Sequence, residues 1–483
     1  MGSSTRTHIL TLAATLALAG PAGAQSRYYE SKVAEPVVPR YQTLRFEEDW
    51  SVLCDQADED LFDPIKCVEL TDDGSIWASF GGQLRERVEL WDDFLFGATG
   101  SADQDDVYLL SRIRAHMDLH LTDIFRVFVE AKSALATDRD LPGGTRPTDV
   151  DSLDLQNAFG DVRLGLAEDD AFTIRGGRHE LLFGDERLVG PVDWSNTRRT
   201  FDGISMIADI GGWRFTGFYT APVEIQKHNF NEADEDQQFW GFHAAGEGIF
   251  GPDMGGGLDF YWLGLERENQ VFNLDAGEED RHTVGMRFYG LIPDTMVDYE
   301  IEGAYQFGDV SGADISAFMV TAEAGVALPG APAELRLEGG FDYASGDDEP
   351  GDGDVETFNQ LFPTGHKHLG YADVIGRQNI VDFRGRATLV PVGELKATID
   401  THYFLLASDD DALYDASGNI VRAGGLDGSN EVGWELDLTL AHPIGRHLVA
   451  SGGYSHFFAG EMIEDTGPDD DIDFAYLALE YTF

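Results

Sequence analysis

The chain has 483 residues, of which 42% are hydrophobic, so it is long enough for a large folded unit and too apolar for a disordered protein. Lys and Arg total 33 against 88 Asp and Glu, which gives a formal charge of -55. A chain this acidic repels phosphates, and we therefore exclude nucleic acid as a partner.

The first 24 residues have the pattern of a secretory signal peptide. The apolar run ILTLAATLALA at 9–19 follows Arg6 and His8, and Ala22-Gly23-Ala24 offers a small-x-small cleavage site. This run is too short to cross a membrane as a helix, and no later window holds about 18 unbroken apolar residues. We therefore predict a secreted mature chain that begins after residue 24.

Residues 25–75 are polar and show no regular alternation until Ile76. They contain both cysteines, Cys54 and Cys67, for which an oxidising compartment favours a disulfide. In the chain-entropy account, a disulfide that closes so short a loop contributes about 3 kcal/mol. A periplasmic extension, a partial plug and a docking arm for a periplasmic secretion partner all remain open for this segment.

From residue 76 to the last residue, apolar and polar side chains alternate with a period of two. In VYLLSRIRAHMDLHLT at 107–122, Ile113, Ala115 and Met117 share one face, and Arg112 and Arg114 share the other. A period of two predicts strands, not helices. The same alternation recurs at 78–90, 297–307, 318–328, 335–343, 381–389 and 434–440.

About 18 such strands are joined by connections that alternate between short and long. Short turns are predicted near Asp123, Gly211, Pro293, Pro391 and Pro443. This alternation is typical of a transmembrane antiparallel up-and-down β-barrel, with short periplasmic turns and long extracellular loops. The long polar connections lie near 137–152, 183–202, 222–237, 266–281, 345–376, 408–430 and 460–471, with a weak member at 308–313.

The two faces of each strand then have different solvents. The barrel residues 76–483 end on an alternating strand that closes with an aromatic residue, Phe483. A closed barrel pairs every backbone group in lipid, and it places the aliphatic face toward the acyl chains. The reverse orientation would cost about 2–4 kcal/mol for each of Arg112 and Arg114 near the bilayer midplane. We therefore expect the charged face to line a water-filled lumen.

Six segments of the chain form a recognisable set: GGQLRERVE at 81–89, GRHELLFGDERL at 177–188, RRTFDG at 198–203, SGDDEPGDG at 345–353, VGWELDL at 432–438 and GYSHFFAGE at 453–461. Together they resemble the alginate-export family of bacterial outer-membrane β-barrels. The resemblance extends from residue 48 to residue 483, and it implies an 18-stranded barrel whose arginine-lined constriction passes an anionic polyuronate outward. The positions that match the family are Arg85, Arg87, Arg112, Arg178, Arg187 and Arg377.

The charged parity adds four cations to this candidate set: Arg114, Lys132, Arg384 and Arg386. Arginine suits carboxylates because its planar fork donates two parallel hydrogen bonds, and rings of arginine and lysine favour anions in pores. The same parity also carries many carboxylates. These cations therefore either guide a solute or form structural ion pairs with the carboxylates.

Acidic loops provide the candidate metal ligands. Asp347, Asp348, Asp352 and Asp354 are weak candidates for binding Ca²⁺, although their spacing does not match an EF-hand loop. A solvated acidic loop is the alternative, and such loops also bind cations that bridge lipopolysaccharide. No cofactor is predicted otherwise.

Motifs of common enzymes are missing from the sequence, including G-x-S-x-G, H-E-x-x-H and the Walker loop, so we predict a protein that is not an enzyme. The leading hypothesis is an outer-membrane channel for anionic polysaccharide or saccharide, surrounded by lipid and lipopolysaccharide. A less selective porin for small solutes or cations is the first alternative. A secreted soluble β-rich lectin or hydrolase is the second.

Overall fold

The computed structural model describes residues 41–55, 60–97, 104–167, 170–249, 255–272, 275–328, 330–425 and 428–483. The predicted signal peptide at 1–24 lies outside these residues. Within them the chain forms eighteen long strands: β1 Ile76–Asp92, β2 Asp106–Leu121, β3 Phe125–Thr137, β4 Asp151–Ala167, β5 Asp170–His179, β6 Phe201–Ile210, β7 Trp213–Glu224, β8 Gln237–Glu247, β9 Gly257–Phe272, β10 Asp275–Leu291, β11 Val297–Val310, β12 Ala313–Ala327, β13 Arg336–Ala344, β14 Ile380–Val392, β15 Leu395–Leu406, β16 Glu431–Ile444, β17 Leu448–Ala459 and β18 Ile472–Thr482.

The strands form one closed barrel. Each pairs antiparallel with the next along the chain. Residues 83–92 of β1 pair with residues 473–482 of β18, which closes the ring and leaves no sheet edge. The predicted 18-stranded antiparallel barrel is confirmed.

The alternation along each strand separates an apolar outer surface from a charged interior. On β2 the side chains of Arg112 and Arg114 are 1% and 2% exposed, whereas Ile113 between them is 50% exposed. Leu337 on β13 and Phe383 on β14 are exposed in the same outward direction. This arrangement is the reverse of a water-soluble protein and is the one that a lipid environment requires.

Connections at the two ends of the barrel differ in length. One end carries short turns, such as those at 211–212, 292–296 and 393–394, and we call it the short-turn end; in outer-membrane barrels it faces the periplasm. The opposite, long-loop end carries loop A (180–200), loop B (345–379) and loop C (407–425 and 428–430). The long loop predicted at 266–281 is wrong. There, β9 continues to Phe272 and β10 begins at Asp275, and the two strands pair through positions such as Glu266 with Asp280, with a register shift between Arg267 and Gln270.

Loops A, B and C fold back into the barrel. Loop A contributes Leu188 and Val189, and loop B contributes Phe362, to one buried apolar cluster with inward-facing wall residues such as Phe201 and Phe239. Loops A and B also pair their backbones. The main-chain N–H of Gly190 donates to the carbonyl oxygen of Phe362, and the N–H of Phe362 donates to the carbonyl oxygen of Leu188. Apolar loop residues thus escape water by packing against the wall, so loops A and B occupy part of the interior that was expected to be an open, water-filled lumen.

The N-terminal segment, residues 41–55 and 60–75, lies at the short-turn end. A disulfide joins its Cys54 to Cys67, and its short strand Val68–Glu69 pairs with β1. Within the described ranges, no helix is long and apolar enough to cross a membrane. The helices are Asp63–Lys66 and Glu461–Thr466, the 3-10 turns are Arg45–Glu47, Ser51–Cys54, Pro332–Glu334 and Gly365–Lys367, and the remaining short strands are Glu232–Ala233, Asp354–Val355, Leu413–Tyr414 and Ile420–Arg422.

Candidate functional site in the barrel interior

Four of the predicted cations stand together on the inner surface of two neighbouring strands. Arg85 and Arg87 on β1, and Arg112 and Arg114 on β2, are each at most 5% exposed, and Arg85 lies directly opposite Arg112 in the register. We call these four residues the arginine wall. Like charges in opposing positions repel each other, so the wall requires acceptors close by.

The tip of loop A supplies these acceptors with its main chain. Arg85 donates hydrogen bonds to the carbonyl oxygens of residues 193–195 at 2.7, 3.1 and 2.8 Å. Arg87 donates to the middle one of these carbonyls at 2.6 Å, and Arg112 donates to the outer two at 3.0 Å each. Neutral carbonyls thus hold Arg85, whereas Arg87 and Arg112 also pair with the carboxylates of Glu89 at 2.7 Å and Asp193 at 2.8 Å. Arg114 makes no such carbonyl contact and pairs with Glu130 at 3.0 Å.

Trp194, at the tip of loop A, is packed between the wall and loop B. The Arg87 guanidinium lies 3.8 Å from the centre of the indole ring. The imidazole of His366, from loop B, stacks on the indole at 3.9 Å with an interplanar angle of 10°. The ring of Tyr476 on β18 meets it edge-on at 4.9 Å. Loops A and B are therefore held against the wall by one aromatic contact set.

Carboxylates, not guanidiniums, face the remaining interior space at this point. Asp193 pairs with Arg112 at 2.8 Å, and the Asp193 side chain is 40% exposed where that of Arg112 is 1% exposed. Asp193 also pairs with Arg198, which is itself buried and bound to Glu180. Glu480, 15% exposed, lies 4.0 Å from Arg112. The wall is thus masked by acidic groups in this structure.

Across the interior, carboxylates of the barrel wall form ion pairs with cationic side chains of the loops. Arg187 of loop A, fully buried, reaches Glu300 and Glu302 on β11 and lies 2.7 Å from Glu323 on β12. Because one buried guanidinium binds two buried carboxylates and the part-buried Glu323, it joins loop A to this side of the barrel.

The other inward-facing candidates, together with Arg114 of the arginine wall, form ion pairs within the protein. Their partners are wall or strand carboxylates close by in the fold. For these residues the contacts favour structural ion pairs over a role in guiding a solute. The pairs are Arg114 with Glu130 at 3.0 Å, Lys132 with Asp151 at 3.0 Å, Arg377 with Asp342 at 2.8 Å, Arg384 with Glu338 at 2.7 Å and Arg386 with Asp400.

Arg178 is the exception to the predicted lumen set. On β5 the inward parity belongs to Arg175 and His179, both buried, so Arg178 points outward. Its guanidinium pairs with Asp202 and Asp154, each at 2.8 Å, near the long-loop ends of their strands. The lumen position expected for Arg178 is therefore wrong, because the resemblance located a motif but not the parity of the strand.

The four candidate calcium ligands do not converge. Asp347 is turned inward and accepts a hydrogen bond from the main chain of Glu349, and burial raises its pKa to about 6. Asp352 accepts a hydrogen bond from the main-chain N–H of Asp354. In the part of the chain that the structure describes, the three carboxylates that approach within 4.8 Å of one another are Asp92, Asp93 and Asp105.

Several interior residues lay outside the set of candidate lumen cations. Asp193, Trp194 and Arg198 carry the contacts that cover the arginine wall, and they lie in a loop where no periodicity marks direction. Arg175 and Arg287 are buried inward-facing cations on β5 and β10. Strand parity alone identifies both of these.

This chain shares sequence features with one protein family and its fold with several solved structures. A family profile described as alginate export matches residues 76–474. No protein with a curated description matches the chain. Among solved structures, the chain is similar in fold to OpdO of Pseudomonas aeruginosa, at a TM-score of 0.55 and 12% identity over 84% of this chain and 97% of that one.

Two further structures share the fold. OccAB1 of Acinetobacter baumannii has a TM-score of 0.56 at 11% identity, covering 87% of this chain and 98% of its own. OccK2 (OpdF) of Pseudomonas aeruginosa, solved in complex with glucuronate, has a TM-score of 0.55 at 12% identity, covering 86% and 98%. At this level of identity the likeness concerns the fold alone.

Proposed function

Because the chain belongs to the alginate-export family, we propose that it is a gated channel of the bacterial outer membrane that passes carboxylate-bearing saccharides along its arginine wall. Outer-membrane lipid and lipopolysaccharide then surround the apolar outer surface. In the described structure loop A covers the wall, so the structure corresponds to the closed state of the proposed channel.

The bonds of Arg85 carry this proposal. Its guanidinium is buried, yet it donates to three main-chain carbonyl oxygens of residues 193–195, which are neutral acceptors. A carboxylate accepts bidentate, charge-assisted hydrogen bonds from arginine that are roughly twice as strong as neutral ones. A uronate is therefore a better partner for Arg85 than the loop that now occupies it.

The neighbouring aromatic residues suit a sugar ring. Trp194 and Tyr476 lie beside Arg87, and Tyr371 of loop B stands 6.5 Å from Tyr476 with its ring parallel. Flat apolar faces next to guanidinium forks match a pyranose that bears a carboxylate. The glucuronate complex of OccK2, a neighbour in fold, provides a chemical precedent for such a solute in a barrel of this kind.

Passage requires that each solute contact be weak enough to release. The loop carbonyls and the Asp193 carboxylate compete for the same guanidiniums, so they lower the net affinity of the wall for any one uronate. A chain of linked uronates could exchange with the loop one residue at a time.

The proposal is tested by current blockade in planar bilayers. Addition of an oligouronate to the wild-type channel should produce blockades, and the double variant Arg85→Gln/Arg112→Gln should raise the required concentration by about tenfold or more, since a hydrogen bond to a charged group contributes about 1.5–3 kcal/mol. Arg178→Gln, which removes an outward-facing arginine, is the matched control and should block like the wild type. Equal blockade in all three proteins would contradict the role of the wall.

A cation-permeable porin is the second candidate, and one observation favours it. The side chains of Asp193 and Asp373 are 40% and 32% exposed inside the barrel, whereas the neighbouring arginines are buried. If loop A stays in place during conduction, permeant ions meet these carboxylates first and cations are preferred. The reversal potential in a KCl gradient separates the two candidates.

A further inference from the structure

The N-terminal segment enters the barrel at the short-turn end with an aromatic anchor. Phe46 is 2% exposed, and its ring packs edge-on against Phe128 at 5.8 Å and Phe159 at 5.1 Å, both on the inner wall. The guanidinium of Arg175 lies 4.4 Å from the centre of the same ring. A buried aromatic anchor of this kind supplies most of the attachment of a docked segment.

Hydrogen bonds fix the segment to the wall on both sides of this anchor. Arg45 donates to the carbonyl oxygens of Gly82 at 3.2 Å and Phe483 at 3.1 Å, at the seam where β1 meets β18. In the other direction, Arg126 on β3 donates to the carbonyl oxygen of Phe46 at 2.6 Å. The segment therefore contacts one arc of the opening, from β18 and β1 to β3, β4 and β5.

The segment also touches loop A, which enters from the opposite end. Arg198 of loop A donates a hydrogen bond to the carbonyl oxygen of Thr43 at 3.1 Å, and the same guanidinium pairs with Asp193. Asp193 in turn pairs with Arg112 of the arginine wall. A continuous set of polar contacts thus joins the N-terminal segment to the residues that cover the wall.

One contact of the segment is unfavourable. Lys66 is 1% exposed, and its amine has no hydrogen-bond partner among the described residues. The amine lies 4.5 Å from the centre of the Trp50 ring. It also lies close to Gly81, where an added Cβ would stand 2.8 Å from the amine nitrogen. A buried amine without a hydrogen-bond partner carries a desolvation cost, which the rings of Trp50 and Tyr41 and the nearby carboxylates of Glu48 and Asp63 offset only in part. The docked segment therefore combines a tightly packed aromatic anchor with one destabilising group, which lowers the free energy needed to release the segment.

We propose that the N-terminal segment is a built-in plug of the periplasmic opening, whose seating holds loop A over the arginine wall through Arg198. Release of the plug then frees Arg198 and lets loop A leave the wall. This inference goes beyond the proposed substrate, because it concerns closure and holds for any permeant solute.

Cysteine labelling in the full-length barrel tests the plug. Ser79, on the inward parity of β1 near the short-turn end, is 1% exposed, so Ser79→Cys introduces a free thiol at a covered site. We expect this thiol to react slowly with a charged thiol reagent when Phe46 is present. In the Phe46→Ala background the rate should rise at least about tenfold, and single-channel recordings should show more open time.

Two controls keep the result interpretable. Val52→Ala, an exposed change on the same segment, should leave the labelling of Ser79→Cys unchanged. A second reporter, Thr321→Cys on the far wall, should stay unreactive in the Phe46→Ala background; if both thiols react equally, the whole barrel has loosened and the plug is contradicted.

Should Phe46→Ala fail to fold, Arg45→Gln removes the two seam hydrogen bonds and serves in its place. Unchanged labelling and open time in a folded Phe46 or Arg45 variant would overturn the proposal, whatever the outcome of the blockade by oligouronate.

Discussion

Arg112 and Asp193 form an ion pair at 2.8 Å in which the arginine is 1% exposed and the aspartate is 40% exposed. The pair thus presents its negative member to the interior space and hides its positive member. The same reversal holds for the arginine wall as a whole, since loop A covers it. Whether this barrel favours anions or cations therefore depends on the position of loop A.

Removal of the Asp193 carboxylate should favour anions. In Asp193→Asn the loop keeps its main-chain carbonyls, but Arg112 and Arg198 lose the acid that competes with an incoming carboxylate. We expect the reversal potential in a KCl gradient to move toward the chloride potential and oligouronate to block at about tenfold lower concentration. Asp202→Asn, on the outer surface, is the control and should leave both measurements unchanged.

Arg187 should be the arginine of loop A that matters most for stability. It is fully buried and faces Glu300, Glu302 and the part-buried Glu323. In Arg187→Gln, Glu300 keeps Arg287 and Glu323 keeps Arg384, whereas the buried Glu302 loses its arginine partner. Breaking a buried ion pair in this way costs about 3–5 kcal/mol. The midpoint of unfolding in urea should fall accordingly. Arg214→Gln, an exposed ion-pair variant, should change stability by less than about 1 kcal/mol, and an equal loss in both variants would contradict this role of Arg187.

Reduction of the Cys54–Cys67 disulfide should loosen the N-terminal segment and leave the barrel intact. In the chain-entropy account the crosslink contributes about 3 kcal/mol to this segment. We expect a reductant to speed proteolysis within residues 41–75, while strand content by circular dichroism stays constant. The double variant Cys54→Ser/Cys67→Ser should be cleaved quickly with or without reductant. If the wild-type protein is cleaved at the same rate with and without reductant, the disulfide does not restrain the segment.

Plug seating should strengthen with rising pH because of Lys66. Burial, together with repulsion from Arg45, lowers the pKa of Lys66 to about 7 from 10.5, while Glu48 and Asp63 partly oppose the shift; His116 faces the amine from β2. A lysine with a lowered pKa binds fewer protons in the docked state than in the released state, so docking gains stability as pH rises from about 7 toward 10.5 and loses it as pH falls through that range.

The measurement is the urea midpoint for release of the segment, followed with a fluorophore on the exposed position of Val52→Cys. For the protein with Lys66 the midpoint should rise between pH 7 and pH 9. With Lys66→Met added, that rise should disappear, because the group that binds the differential proton is gone. Identical pH dependence in the two proteins would assign the effect to other groups.

The strand pattern predicted the barrel because period-two alternation reports directly on which solvent each face meets. Arg112 and Arg114 were assigned to the interior on that basis, and both are inside. Arg178 was carried over from a motif, and parity, which places Arg175 inward and Arg178 outward, was the better guide. Alternation therefore determined the wall more reliably than the resemblance did.

Sequence patterns did not predict what fills the barrel. Leu188 in loop A and Phe362 in loop B belong to short apolar stretches that show no period, and their common cluster forms only through contacts across more than 150 positions. Arg198 reaches Thr43 over a similar separation. Such contacts depend on loop conformation, for which residue spacing carries no period.

The central claim, that the arginine wall carries carboxylate-bearing saccharides, is tested most directly by flux into liposomes that contain the purified barrel. An oligouronate and a neutral oligosaccharide of the same length should be compared in one preparation. We predict faster entry of the oligouronate, with the advantage lost in Arg85→Gln/Arg112→Gln and retained in Arg178→Gln. Equal or faster entry of the neutral oligosaccharide through the wild-type protein would contradict the account.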